Sequence, residues 1–537
     1  MKTVADRMVE ILKEAGVRIV FGIPSIHNLG LYEALRKTPD IKHILCRHES
    51  TETHMADGYA RESGMVGVAI ASTGPGAGYT VPALQEAFGS SVPLLVIATN
   101  IASSKIGKGI GTLHEITDQD KIFRNVTKGV FAVRAKSEAQ DLTRRALATA
   151  ILGRPGPVYL EIPTDLLNQE VEEESPVVMD PFPKTPPPPN LEKAITLMGE
   201  AQNPLVLVGT AALRAGLSKD IIGIAEALTA PVLFTPNARG LIPDDHPLAL
   251  GNAARRGVIR EAVATSDLVL AMGTRLREVD TKRRGLLLPR LIHVDWDDQW
   301  IDKNFPAEIE LTGDLVQIVR ALAKKITHLP QRENRKTRMA EIISSRQEET
   351  SKISEVHSEL AYLEALRNVL PRESTLVADN TQLGYWSEYF YPSFVPGGWM
   401  GAKGSAIIGF AFAAAVGAKI AAPERPIVAL IGDGGFLYSS QELATCKRHG
   451  IGFPLIVVNS RSYGIIGYLQ KTFHQHEYET RLENPDFVQL ASAYGVEGCR
   501  VTSPSQLKDA LIEALFSGEM RLIELVADFP APPFAEY

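Results

Sequence analysis

The sequence is poor in cysteine: Cys46, Cys446 and Cys499 are three in 537 residues, far apart and in no C-x-x-C arrangement. This argues against a disulfide framework and for a reducing, cytoplasmic setting. A surplus of one sign of charge is also missing. Lys and Arg number 56 against 63 Asp and Glu, a net charge of -7 with an isoelectric point near 6.0, so nothing recommends nucleic acid or an anionic membrane as partner. No apolar run approaches the ~20 residues that span a bilayer. The first residues place Val4, Met8, Ile11 and Leu12 on one face of an amphipathic helix, unlike a signal peptide. Three common motifs are absent as well. Ser72-Thr73-Gly74-Pro75-Gly76-Ala77-Gly78 lacks the Lys-Ser/Thr of a P-loop, His48 and His54 do not have H-E-x-x-H spacing, and residues 209–216 are not G-x-G-x-x-G. No sequence repeat recurs at a fixed period.

What remains is ordinary globular composition, 45% hydrophobic and 22% charged, in a chain long enough for about three domains. Up to residue 171, apolar strands (18–21, 44–46, 66–71, 93–98) alternate with helical segments (29–36, 53–62, 81–90). That alternation predicts a parallel sheet covered by helices on both faces. Residues 172–190, with three consecutive Glu and the run Pro186-Pro187-Pro188-Pro189, read as an extended linker. A second α/β unit follows over 191–328, with strands at 205–208, 232–235, 268–272 and 291–295. A charged helical connector at 329–352 leads to a third unit, 355–537, which ends in the extended aromatic tail 529–534. The fold class is therefore α/β, three doubly wound parallel-sheet domains, the first and third variations on one theme.

The chain is organised around Gly432-Asp433-Gly434-Gly435, which follows the buried strand 427–431. Asp433 then stands where a strand ends and a glycine turn lets backbone N–H groups face a phosphate. A second strand, 454–458, ends at Asn459-Ser460-Arg461-Ser462-Tyr463-Gly464, joined to the first through a helix over 442–449. Carboxyl ends of parallel strands are where such sheets bind ligands. One carboxylate, a neutral oxygen and a carbonyl, completed by phosphate and water, suit Mg²⁺. An N-capping Asp in a glycine turn is the simpler alternative, which the second cluster makes less attractive. In the first unit, Glu49 follows the apolar Ile44-Leu45-Cys46 at a strand end. Partial burial there suits it to proton transfer near neutral pH; a capping or salt-bridged Glu is the alternative.

Phe21-Gly22-Ile23-Pro24, Arg47-His48-Glu49, Asp57-Gly58-Tyr59-Ala60-Arg61, Ser72-Thr73-Gly74-Pro75-Gly76, Ser91-Val92-Pro93-Leu94 and the 432–464 region occur in this order. Together they resemble the thiamine-diphosphate-dependent 2-oxo acid decarboxylase and acetolactate synthase superfamily. Gly240-Leu241-Ile242-Pro243 and His293-Val294-Asp295 match it in the middle unit. The resemblance implies pyrimidine-binding (1–171), middle (191–328) and diphosphate-binding (355–537) domains. It further implies thiamine diphosphate and Mg²⁺ as cofactors, a small 2-oxo acid as substrate, and a homodimer or homotetramer with active sites between the first domain of one subunit and the last of another. Asp433, Ser460 and Ser462 would hold the metal. Glu49 would hydrogen-bond the aminopyrimidine and promote proton loss from thiazolium C2, the thiazolium then serving as electron sink. Ile408 would keep the cofactor bent. Pro24, Thr73, Gly74, Asn380, Thr381, Gln382, Gly432, Gly434, Gly435, Tyr463, Gly464 and Ile465 fall at further cofactor-binding positions.

The chain also departs from that family. Ser460 replaces the second Asn of an Asn-Asn pair, offering an oxygen on a shorter arm. Ile26 and Ile466 stand where pyruvate decarboxylases carry acids, so an ordinary pyruvate-to-acetaldehyde reaction is not expected. His114, where acetolactate synthases have Gln, is the first candidate for a polar group over the reacting carbon, and His27 the second. Flavin is left open, because the turn at Gly209 and residues 251–257 depart from the acetolactate synthase pattern. The cluster Arg275, Arg277, Lys282, Arg283, Arg284 could meet an anionic nucleotide or acidic substrate, or be a solvated basic face. The leading reading is decarboxylation of a 2-oxo acid, with an acetolactate-synthase-like carboligase as alternative. A non-catalytic nucleotide- or effector-binding protein of the same fold is the remote third, against which Glu49, Asp433 and Ile408 together argue.

Overall fold

The computed structural model describes residues 2–172, 188–255, 257–281, 285–329 and 332–532. Most of the 172–190 linker, Arg256, Lys282, Arg283 and Arg284 of the basic cluster, and the end of the 529–534 tail lie outside these. Three six-stranded parallel sheets carry the fold. The first runs Lys42–Leu45, Ile19–Gly22, Gly67–Ala71, Leu94–Asn100, Pro157–Pro163, Gly129–Ala132. Numbered along the chain, that order is 2-1-3-4-6-5. The last sheet, Trp399–Gly401, Thr375–Ala378, Ile427–Gly432, Pro454–Asn459, Arg521–Val526, Glu497–Val501, has the same order. Their likeness is structural, with no repeat in the sequence behind it. The middle sheet has the strand order 3-2-1-4-5-6, with its first strand, Pro204–Val208, beside Leu268–Met272.

Central strands such as Leu94–Asn100 are buried at every residue, because helices cover both faces. That is why they read as continuous apolar runs rather than alternating ones. A short antiparallel pair, Lys2–Thr3 with Glu170–Val171, ties the start of the first unit to its end.

Two features set the position of the site. In each outer sheet the strand order reverses between Ile19–Gly22 and Gly67–Ala71 and between Thr375–Ala378 and Ile427–Gly432, and such switch points open a crevice at the carboxyl ends. The outer units also pack directly on one another. Helices Glu49–Ser63 and Phe410–Ala421 cross so closely that a Cβ on Gly58 would run into Ala414, and one on Gly417 into Met55. Glu442 accepts from Arg47 N at 3.1 Å, and His449 Nε2 from Leu45 N at 3.0 Å, so the last unit braces the corner that presents Glu49.

The helix expected at 53–62 begins four residues earlier, at Glu49. His48 caps it: its Nδ1 accepts from Ser50 N at 3.1 Å. Glu49 is thus the first helical residue rather than a strand end. The connector is a helix over Glu333–Val356. The tail packs on its own unit, with Phe529 buried edge-on to Tyr362 and Trp386 Nε1 donating to Pro530 O at 2.9 Å. Among the described residues no helix is long and apolar enough to cross a membrane, and the three cysteines are unpaired.

Candidate active site

In the first unit the turn after Gly67–Ala71 gathers the predicted residues. Gly74, at φ +62°, packs on the His114 backbone, where a Cβ would overlap the carbonyl. A Cβ on Gly76 would come within 3.1 Å of Glu49 Oε1. These two glycines bring Glu49 and His114 to one turn. Ser72 Oγ bonds Ser25 Oγ and Thr73 Oγ1 bonds Thr99 Oγ1, both at 2.8 Å. The rings of His27 and His114 stand 4.9 Å apart, and Nδ1 of each is buried without a hydrogen-bond partner among the described residues. Burial, and secondly the charge of His114, hold His27 below the ordinary imidazole range. Pro24 and Ile26 are exposed beside this cluster, and Glu49 is half-buried.

In the last unit Asp433 begins a single turn, Asp433–Phe436, directly after its strand. Burial raises its carboxyl, opposed by donors at Gly434 N (2.9 Å), Asn484 Nδ2 (2.8 Å) and the backbone of Arg461 and Ser462. Close approach characterises the neighbouring glycines. A Cβ on Gly432 would lie 3.1 Å from Thr381 Oγ1, one on Gly464 would overlap Gln382, and one on Gly434 would lie 3.5 Å from Leu482 and overlap the near edge of the Tyr463 ring. A Cβ on Gly435 would lie 3.4 Å from Ile408 Cγ1. Ile408 is half-buried rather than core, and Ile465 is half-buried next to Gly464. Asn380 Nδ2 donates to Ile407 O at 3.2 Å. A cavity of about 310 Å³ opens beside Gln382, Ser462 and Gly464, with Asp528, Phe529 and Pro530 on its wall.

Ser460 lies against the other predicted cation ligand of its loop. Its Oγ is turned onto Ser462, 3.2 Å from both the carbonyl oxygen and Oγ. Among the described residues no three His, Cys, Asp or Glu side chains gather as a metal set. A cation at Asp433 would depend on one carboxylate, neutral oxygens and phosphate, a donor set that Mg²⁺ accepts.

Sequence reasoning missed three supporting residues. Asp379 accepts from Gly409 N (3.0 Å) and Ala411 N (3.4 Å), so it holds the loop that carries Ile408. Its carboxyl is pushed up to about 6 by burial, against the backbone donors. Gln119 accepts from Gly74 N at 2.7 Å and donates to Thr99 O and Tyr159 Oη, fixing the glycine turn. Asn484 bridges Asp433 and Asn459, at 2.8 and 2.9 Å. Only Asp379, at the end of an apolar run, has a local signal.

At the middle sheet's switch point the arginines are engaged with neighbouring groups. Arg277 donates to Gly89 O (3.1 Å) and Lys403 O (2.9 Å) while paired with Asp280, Arg275 donates to Gly89 O, and Arg154 to Ser91 Oγ (2.8 Å). Arg275 and Arg277 thus bind carbonyls of the neighbouring units, and Arg154 a hydroxyl of its own unit.

The chain matches, in order, the N-terminal TPP-binding domain (residues 2–122), the central domain (191–322) and the C-terminal TPP-binding domain (379–525) of the thiamine pyrophosphate enzymes. It is 35% identical to a probable 2-ketoarginine decarboxylase AruI of Pseudomonas aeruginosa, over 94% of this chain and 90% of that protein. It is 32% identical to a probable acetolactate synthase large subunit of Methanocaldococcus jannaschii, over 98% and 92%, and 31% identical to the acetolactate synthase isozyme 3 large subunit of Escherichia coli K12, over 95% and 92%. With one domain match falling in each of the three α/β units and relatives aligned over nearly their full lengths, the chain belongs to the superfamily of thiamine-pyrophosphate-dependent 2-oxo acid decarboxylases and acetolactate synthases.

Proposed function

We propose that the protein is a thiamine-diphosphate- and Mg²⁺-dependent 2-oxo acid decarboxylase, with active sites formed between two copies of the chain. The reading is carried by the pairing of Glu49 against the Gly74-Pro75-Gly76 turn with Asp433 in its glycine turn, at equivalent edges of two sheets of identical strand order. When bound, the cofactor supplies an electron sink for cleaving the bond next to a ketone. The residues then have separate tasks. Glu49 would hold a proton at the aminopyrimidine, Ile408 would pack against the cofactor from the loop that Asp379 secures, and Asp433 with Ser462 O and Ser460 would hold the cation on the diphosphate. His27 and His114, with free Nδ1 atoms, hold or deliver a proton at the substrate. Unpaired cysteines support a reducing compartment.

Ile26 and Ile466, exposed at 67% and 47%, place apolar surface where pyruvate decarboxylases carry acids. A relative named for 2-ketoarginine brings basic 2-oxo acids into consideration beside aliphatic and aromatic ones. The second reading is a carboligase, favoured by the acetolactate synthase relatives. The test is a panel of these 2-oxo acids with added thiamine diphosphate and Mg²⁺, following CO₂ and products with and without an aldehyde acceptor. Aldehyde release is expected. A product formed only with an acceptor would favour ligation, and no turnover of any 2-oxo acid would overturn both.

A further inference from the structure

We infer that Asn484 is a positioning residue for the cation site, its carboxamide NH₂ holding the Asp433 carboxylate in place where position 460 offers only a short hydroxyl. This rests on the reading of Asp433 as a cation ligand. Asp433 Oδ1 is held by Gly434 N at 2.9 Å and Oδ2 by Asn484 Nδ2 at 2.8 Å. The same Nδ2 reaches Asn459 Oδ1 at 2.9 Å. The orientation follows from the network. Asn459 Nδ2 is committed to Glu524 Oε1 at 2.6 Å, so Asn459 presents its oxygen, and the Asp433 carboxylate can only accept. Asn484 must therefore present its NH₂ to both.

The segment that carries Asn484 is fastened to the metal loop at several points. Tyr463 N donates to Thr480 O and Leu482 N to Arg461 O, each at 2.8 Å, as an antiparallel bridge. Pro485 restricts the backbone of Asn484, and Asp486 caps the helix Phe487–Ala493 through Gln489 N at 2.9 Å. Phe487 packs edge-on to Phe436 at 5.6 Å. Three positions separate Asn484 from Phe487, and three separate Asp433 from Phe436. A polar pair and an aromatic pair thus clamp the same two segments. Ser460 takes no part in this clamp, since its hydroxyl is engaged with Ser462. An unsupported buried carboxylate would be free to turn away from a cation, and outer residues that orient a ligand are commonly worth 10–100-fold in metal affinity.

The experiment is titration of the full-length apoprotein with Mn²⁺ at a fixed excess of thiamine diphosphate, by calorimetry, for wild type, Asp433→Ala, Asn484→Ala, Ser460→Asn and the Ser460→Asn/Asn484→Ala double variant. Asp433→Ala should abolish cation binding; if it does not, the cation-site reading itself fails. Asn484→Ala should raise the Mn²⁺ dissociation constant by about 10–100-fold, and adding Ser460→Asn should restore it to within a few-fold of wild type. Unchanged Mn²⁺ affinity in Asn484→Ala, with Asp433→Ala inactive in binding, overturns the inference. So does a gain from Ser460→Asn that is no larger in the Asn484→Ala background than in wild type, because a merely structural role for Asn484 would leave the two changes additive. Asn484→Ser, read the same way, replaces the alanine variant if that one does not fold.

Discussion

Ser460 donates its hydroxyl to the carbonyl oxygen of Ser462 across 3.2 Å, so two oxygens expected at the cation are engaged with each other. Placing Asn at 460 supplies a longer arm that reaches past this contact. Ser460→Asn alone should lower the Mg²⁺ concentration for half-reconstitution by about tenfold, the lower end for an added orienting group. Near-ultraviolet circular dichroism of the reconstituting protein reads this, and an equal or higher requirement counts against Ser460 as the weak point.

Glu49→Gln keeps the shape of the side chain and removes its acid. Because Glu49 opens its helix rather than filling the core, the fold should hold. CO₂ release should fall by about 10²–10⁴-fold, the usual scale for a lost acid–base group. The thiamine diphosphate dissociation constant should stay within a few-fold. Full turnover would remove Glu49 from the chemistry.

Gly76→Ala and Gly74→Ala separate placement from strain. At Gly76 a Cβ would lie 2.9 Å from Ser72 Cβ and 3.1 Å from Glu49 Oε1, with no left-handed backbone angle. Turnover should fall, and the melting temperature should drop less than in Gly74→Ala. At Gly74 the same change meets φ +62° and the His114 carbonyl together, a strain of about 1–3 kcal/mol, so both turnover and melting temperature should drop. Equal melting temperatures for the two variants would contradict this.

Burial and the neighbouring His114 keep His27 neutral at neutral pH. The acid limb of the kcat/KM profile should therefore lie below the ordinary imidazole value of about 6.5. His27→Asn should shift or abolish it. A limb unmoved in that variant would assign it to another group.

His54 is fully buried against Phe410 and Arg61, and burial, then the charge of Arg61, push it down to about 3. Its folded value lies below the unfolded one near 6.5, so below pH 6.5 the unfolded chain takes up a proton that the native state refuses. Stability is complete above 6.5 and declines as pH falls towards 3, by at most about 1.4 kcal/mol per unit from this group. Urea unfolding at pH 7 and 5.5 should show a smaller loss for His54→Phe than for wild type.

Local features were readable because they depend on local physics. Ile427–Gly432 is apolar since it is covered on both faces, and it stops at Asp433 where glycines free the backbone. The turn at Ser72 and the helix Val81–Ser90 announce themselves in the same way. The start of the helix at Glu49 did not, because an imidazole acts as its cap. Arg275 and Arg277 look like a basic face in the sequence, whereas in the fold they bind carbonyls of other units. Most of the supporting shell lies across long separations, 51 residues from Asp433 to Asn484, 45 from Gly74 to Gln119 and 30 from Asp379 to Gly409. The sequence by itself determined three α/β units, the glycine turns at two sheet edges and the family they belong to, since strand burial and glycine turns are written in neighbouring residues. Which side chains hold those edges in place was decided only by tertiary structure, because a buried carboxylate takes whatever donors the packing brings to it, however distant in the chain.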